Sequence, residues 1–227
     1  GIPAFKWSHD LSSANSEGTV FPAMIGLAAS WNVALAQRVA ATLSDEIRSQ
    51  YNAASQNANP APVRLTFWGP TISLLHDPRW RQRADTFGED PLLVSLMGVA
   101  FVKGLQGDDP RYLKTAVCAR FLGMISGTEA SDPSAADDDP TAQNEPNSLT
   151  SASPVEVGPR DLLTTYLPPF KAAVRDGAAA GIMAAGTRLN GRSSSADPLL
   201  LFETLRRRWG FRGFVASSQD AIRRSEE

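Results

Sequence analysis

The feature that most constrains this chain is an alternation, sustained over most of its length, of short apolar runs with longer segments of helical periodicity. From Trp31 to Tyr51, the residues Val33, Ala36, Val39, Ala40, Leu43 and Ile47 recur at steps of three and four. That spacing lays them along one stripe of an amphipathic helix, with Ser30 as the expected N-cap. Val63 to Trp68 is rich in β-branched and aromatic residues and predicts a buried strand ending at Gly69-Pro70. A helix is expected from about Pro91 to Leu105, capped by Asp90, started by Pro91 and stopped at Gly107. Lys114 to Phe121 reads as a strand, Arg160 to Arg175 as a helix kinked at Pro168-Pro169, and Ala179 to Ala185 as a strand of small residues. Asp197-Pro198 opens a further helix closing at Trp209-Gly210, and Gly213 to Ser217 supplies another strand. Such alternation requires parallel strands with helical crossovers, in a doubly wound sheet or a barrel. No G-x-G-x-x-G follows any strand, so the dinucleotide-binding fold lacks its main sequence support.

At 227 residues the chain suits a single barrel-sized domain, 1–227, better than two independent units. A stretch at 127–159, dominated by small and polar residues with Asp137, Asp138 and Asp139 in a row, has too little apolar surface to offset its ordering entropy and is expected to be a mobile acidic loop. Its aspartates lack the alternating spacing and turn glycine of a Ca²⁺ loop.

Several function classes are disfavoured. A formal net charge of −2 offers no basic stripe for nucleic acid. The longest apolar stretches, such as Leu92 to Leu105, are broken well before the roughly 20 residues that a membrane span needs. Cys118 is the single cysteine, and His9 and His76 fit no metal spacing, so neither a metal nor another cofactor is expected. The first residues lack the charged and apolar regions of a signal peptide and the last follow directly on a strand, so the chain reads as cut at both ends.

Specific blocks then narrow the reading: Gly18-Thr19-Val20-Phe21-Pro22, Leu65-Thr66-Phe67-Trp68-Gly69-Pro70, Asp77-Pro78-Arg79-Trp80, Thr86-Phe87-Gly88-Glu89-Asp90-Pro91, Tyr166-Leu167-Pro168-Pro169-Phe170-Lys171, and Trp209-Gly210-Phe211-Arg212-Gly213-Phe214. In order and spacing they resemble the (β/α)-barrel domain of the family 3 glycoside hydrolases, and the Leu-Thr-Phe-Trp block and Ala196-Asp197-Pro198 are most similar to the β-xylosidase branch. The resemblance implies an α/β fold, a TIM-type (β/α) barrel, incomplete here at one or both ends and so exposing strand edges that predict poor solubility. It also implies a retaining β-glycosidase acting on terminal β-linked xylose or glucose, an extracellular or secreted setting, a β-linked oligosaccharide as ligand, and a general acid/base from a following domain or second chain. Neither nucleic acid nor membrane is an expected partner.

Residue by residue, the resemblance places the nucleophile position at Ser218, where a hydroxyl stands instead of a carboxylate. Asp220 is the local candidate for rescue. On a strand it shares a side with Ser218 but lies about 6 to 7 Å further along, beyond the tolerance of a displacement reaction. The family's Lys-His pair falls on Ala119 and Arg120, its early acidic residue on His9 or Asp10, its second Arg on Gln82, its Glu on Asp85, and its Tyr-Asn on Gly186 and Thr187. These substrate-binding positions are mostly substituted. Arg120 has two readings, a solvent-facing charge or a guanidinium that recognises an anionic ligand at the barrel mouth. Asp77, Arg79 and Trp80 are read as a salt-bridged structural turn. For the whole chain the competing readings are a weak or inactive β-glycosidase, a working one rescued by Asp220, and a non-catalytic carbohydrate- or protein-binding scaffold.

Overall fold

The computed structural model describes residues 18–56, 64–76, 85–123 and 156–217. Four parallel strands form the central sheet: β1 (Thr66–Thr71), β2 (Ala116–Leu122), β3 (Gly181–Ala184) and β6 (Phe214–Ser217), side by side in that order. The order never reverses along the chain. A doubly wound sheet would change direction at a switch point, whereas stepwise addition of neighbours is how a barrel is built. The fold is α/β of the TIM-barrel type. A separate two-stranded hairpin, β4 (Arg188–Leu189) and β5 (Arg192–Ser193), turns at Asn190-Gly191, both with positive φ. That pair is the residue combination such a tight turn requires.

Side-chain alternation along the strands separates two cores. Phe67, Val117, Ala119 and Ile182 join the large cluster between the sheet and the helices, while Trp68, Cys118 and Met183 pack on the opposite face with Phe121 and Ala185. Helices α2 (Val33–Ser55) and α3 (Pro91–Gln106) supply much of the outer layer. The apolar stripe expected from Val33 to Ile47 is the face that α2 buries, with Ala36, Val39, Ala40, Leu43 and Ile47 all in the core. At α3, the Asp90 side chain accepts from the Leu93 amide, Pro91 occupies the first turn and Gly107 ends the helix at φ 75°.

Two boundaries differ from the sequence reading. The cap of α2 is Asn32, whose Oδ1 accepts from the Leu35 amide at 2.9 Å. Ser30 instead ties off α1 (Met24–Ala28) by donating to the Leu27 carbonyl, and Trp31, at φ 54°, turns the chain between the helices. Strand β1 does not end at Gly69-Pro70 but runs through it to Thr71, with Trp68 and Gly69 both opposite Cys118 in a bulge. An irregular register lets a proline, which has no N–H to donate, remain in the strand. The helix of residues 160–175 breaks where its prolines predict. A turn, α4 (Pro159–Asp161), leads into a π-helical segment, Leu162–Tyr166, and α5 (Pro168–Arg175) restarts with proline in its first turn. The later helix, Leu199–Arg208, is also of the π type. Asp197 Oδ1 accepts from the Leu199 amide at its entrance. No helix among the described residues is long and apolar enough to cross a membrane. Of the acidic loop expected at 127–159, residues 127–155 lie outside the described residues, as does the Asp77-Arg79-Trp80 turn.

Candidate active site at the strand ends

Parallel strands place all their C-terminal ends on one side, and in barrels the loops that leave those ends build the site. Here that end is formed by Thr71, Arg120 to Leu122, Ala184-Ala185 and Ser217. The strands are tied there by the Ile72 amide donating to the Arg120 carbonyl at 2.7 Å and the Ala185 amide donating to the Leu122 carbonyl at 2.9 Å.

Arg120 is the charged residue held at this edge. Its Nε donates to Thr71 Oγ1 at 3.0 Å, and its Nη2 lies 3.7 Å from Asp85 Oδ2. The first distance is a hydrogen bond; the second is Coulombic attraction without one. The Arg120 side chain is 17% exposed and that of Asp85 55%. The guanidinium carbon also stands 5.2 Å from the centroid of the Phe121 ring, in cation–π range, and Phe121 belongs to the inner cluster with Trp68 and Met183. Asp85 reaches this position because the next residue, Thr86, forms a parallel bridge with Thr71 and donates from Oγ1 to the Ser73 carbonyl at 2.7 Å. The bridge between Thr71 and Thr86 therefore brings the Thr71 hydroxyl and the Asp85 carboxylate to the guanidinium.

The other positions expected to bind substrate are placed differently. Ala119 is fully buried in the cluster between sheet and helices, one residue out of phase with the inner face, so its methyl group packs there. Thr187 is 5% exposed and structural, its carbonyl accepting from the Ser194 amide at 3.0 Å and its Oγ1 donating to the Gly123 carbonyl at 3.4 Å. Gly186 is half-buried beside it. His9, Asp10, Gln82, Ser218 and Asp220 lie outside the described residues. The structure thus brings Arg120 and Asp85 together from the sequence-predicted set and adds Thr71 and Phe121. Thr71 was missed because Pro70 marks an early strand end.

Cys118, on the inner face beside this site, is fully buried, and desolvation pushes its thiol up to about 12 although the Arg120 charge pulls the other way. A thiol held neutral at that level is neither nucleophile nor metal ligand at neutral pH. Among the described residues no group of three or more His, Cys, Asp or Glu side chains converges as a metal site would require.

The geometry agrees with what known proteins show. Residues 6–227 match the family described as the glycosyl hydrolase family 3 N-terminal domain. β-D-Xylosidase 3 of Arabidopsis thaliana is 36% identical over 98% of this chain and 28% of its own length, and xylan 1,4-β-xylosidase of Xylanibacter ruminicola is 37% identical over 96% and 24%. A solved GH3 exo-β-xylosidase in complex with a xylobiose aziridine probe superposes with a TM-score of 0.78 at 25% identity, covering 99% of this chain and 28% of that one. The chain spans about a quarter of the length of the curated relatives it matches. With parallel strands added in barrel order and the family pattern running through nearly every one of them, the chain belongs to glycosyl hydrolase family 3.

Proposed function

We propose that this chain is a β-glycosidase-type domain that engages terminal β-linked xylose or glucose and hydrolyses such glycosides slowly at best. What carries this reading is Ser218, the residue that follows β6 in the sequence, which falls where the family resemblance puts the nucleophile. Support for that placement comes from β6, whose final residue, Ser217, pairs with Ala184 at the end of the sheet that also holds Arg120. Retaining hydrolysis uses two carboxyl groups about 5 Å apart, one attacking the anomeric carbon and the other protonating the leaving oxygen. A serine hydroxyl can attack only when a neighbouring base takes its proton. Losing a nucleophile from a serine protease removes roughly a million-fold in rate, about 8 kcal/mol of barrier. Substitution of the Lys-His pair by Ala119-Arg120 further changes how sugar hydroxyls would be held.

An activated aryl glycoside tests this cleanly, because nitrophenolate departs without a general acid and the assay then reports the nucleophile alone. With nitrophenyl β-xyloside and nitrophenyl β-glucoside the chain should turn over at the buffer rate, and Ser218→Asp should raise that rate. Robust turnover by the native chain, abolished by Asp220→Asn, would instead establish Asp220 as the working nucleophile and overturn the proposal.

A further inference from the structure

We infer that the surface around Tyr112 and Tyr51, at the opposite end of the sheet from Arg120, is a second carbohydrate-binding surface that takes an extended chain of β-linked sugars. Its place follows from the topology. The turn of residues 107–115 enters β2 at Ala116, and Arg48 of α2 donates to that turn, so the surface lies at the N-terminal ends of the strands. Tyr112 is 73% exposed, Leu113 42% and Tyr51 37%, more apolar surface than a connecting turn needs.

Three observations carry the inference. First, the rings stand on fixed backbone. Asp109 Oδ1 accepts from the Arg111 amide at 2.8 Å and from the Tyr112 amide at 2.9 Å, which sets the turn that presents Tyr112, while Tyr51 stands on α2. Tyrosine has few torsions to freeze, so a ring on such backbone binds at small entropic cost. Second, one side chain joins the helix to the turn. Arg48 Nη2 donates to the Leu113 carbonyl at 2.8 Å, and its guanidinium carbon lies 5.9 Å from the centroid of the Tyr51 ring. Arg48 thus bridges the Tyr51 ring to the turn that carries Leu113 and Tyr112. Third, exposed polar groups are interleaved with the apolar ones: Lys114 Nζ pairs with Asp45 Oδ1 at 2.6 Å.

That mixture selects the ligand. The cores of protein interfaces are depleted of charge, and an ion pair covered by a protein partner loses its water. A sugar chain supplies both halves of the match: its C–H faces lie against tyrosine, and its hydroxyls replace the water around Lys114 and Asp45. A single sugar covers one ring, whereas a chain reaches several groups at once, so affinity should grow with chain length. The β-linkage rests on the proposed function; the surface itself is independent of it.

Affinity electrophoresis of the chain tests this in gels cast with soluble arabinoxylan, with mixed-linkage β-glucan, or with neither. The chain should migrate more slowly with polysaccharide, and Tyr112→Ala and Tyr51→Ala should each weaken the apparent affinity about five- to tenfold. Both side chains are exposed, so the variants should keep the fold. Calorimetry with methyl β-D-xyloside and methyl β-D-glucoside reports the strand-end site separately, and neither variant should change it. Retardation that the tyrosine variants leave intact, or that excess methyl glycoside abolishes, places the polysaccharide at the strand ends and overturns the inference. Migration unaffected by either polysaccharide also overturns it, and leaves the proposed function standing if the methyl glycosides still give heat. Retardation lost in the tyrosine variants, with no heat from the methyl glycosides, supports the surface and counts against a sugar site at the strand ends. A concentration-dependent dimer that Tyr112→Ala abolishes would assign the surface to a second copy of the chain and overturn the inference.

Discussion

Gln106 grips the chain around Ala180 from both sides: its Nε2 donates to the Ala178 carbonyl at 2.9 Å, and its Oε1 accepts from the Ala180 amide at 2.8 Å. Gln106 is the last residue of α3, and Ala180 immediately precedes β3. The clamp therefore fixes where β3 begins relative to a helix more than 70 residues earlier in the chain. Register at the start of β3 sets register at its end, where Ala184 and Ala185 meet the candidate site.

Gln106 is 4% exposed, so an apolar replacement strands two backbone groups with no ready access to water. An unsatisfied buried group costs about 1 to 3 kcal/mol. Gln106→Leu should lower the unfolding free energy by about 2 kcal/mol in a urea titration and accelerate hydrogen exchange at the Ala180 amide. Unchanged exchange there would show that the clamp does not hold the strand.

The two long helices were legible because their signals are local. The stripe from Val33 to Ile47 and the Asp90-Pro91 start with its Gly107 stop depend on neighbours within a few residues. Ser30 was the wrong cap because the positive φ of Trp31 redirects the chain before α2 begins, and no residue pattern announces that turn. Pro70 disguised the end of β1, since proline in a strand is tolerated only where the ladder is irregular, and the bulge at Trp68-Gly69 depends on Cys118, some 50 residues away. The same limit governs the site. Arg120 could be placed at a strand end from sequence, but its attachment to Thr71 and Asp85 is a contact among three separate segments. Ala119 was assigned to the ligand side by family position, whereas its phase in β2 relative to Cys118 turns it toward the helices.

Cys118 provides a pH signature. Its thiol is raised from an ordinary value near 9.0 to about 12, first by burial, against the opposing pull of Arg120. Below pH 9 both folded and unfolded chains hold this proton, so it contributes no pH dependence. Between pH 9 and about 12 the unfolded chain releases it while the folded chain keeps it, and stability falls as pH rises. The native chain should lose up to about 1.4 kcal/mol per pH unit more than Cys118→Ala across that window, measured by denaturant titration. Parallel curves for the two proteins would contradict a desolvated thiol. Iodoacetamide at pH 8 should likewise label Cys118 only at the rate of unfolding.

The approach of α2 to α3 depends on Gly104. A Cβ at that position would overlap the Gln37 carbonyl oxygen, lie 2.6 Å from the Ala40 Cβ and 2.9 Å from the Ala41 amide nitrogen. These atoms belong to backbone or to a methyl group and cannot rotate aside as a long side chain could. Ser44 marks the same contact from the other helix, donating from Oγ toward the Gly104 carbonyl at 3.2 Å. Two effects of Gly104→Ala oppose each other. Alanine favours the helix by about 1 kcal/mol over glycine, while overpacking a close interface costs about 1 to 3 kcal/mol. Because the clash is with rigid atoms, the upper part of that range applies and the net effect should be a loss of about 1 to 2 kcal/mol in thermal or urea unfolding. Gly98→Ala on the same helix is the control: its added methyl group would lie 3.0 Å from the Ile72 Cγ2, a single close side-chain contact in place of the three at Gly104, two of them with backbone. Gly98→Ala should therefore be the milder change, and if it destabilises more than Gly104→Ala, the spacing between α2 and α3 is not what glycine preserves.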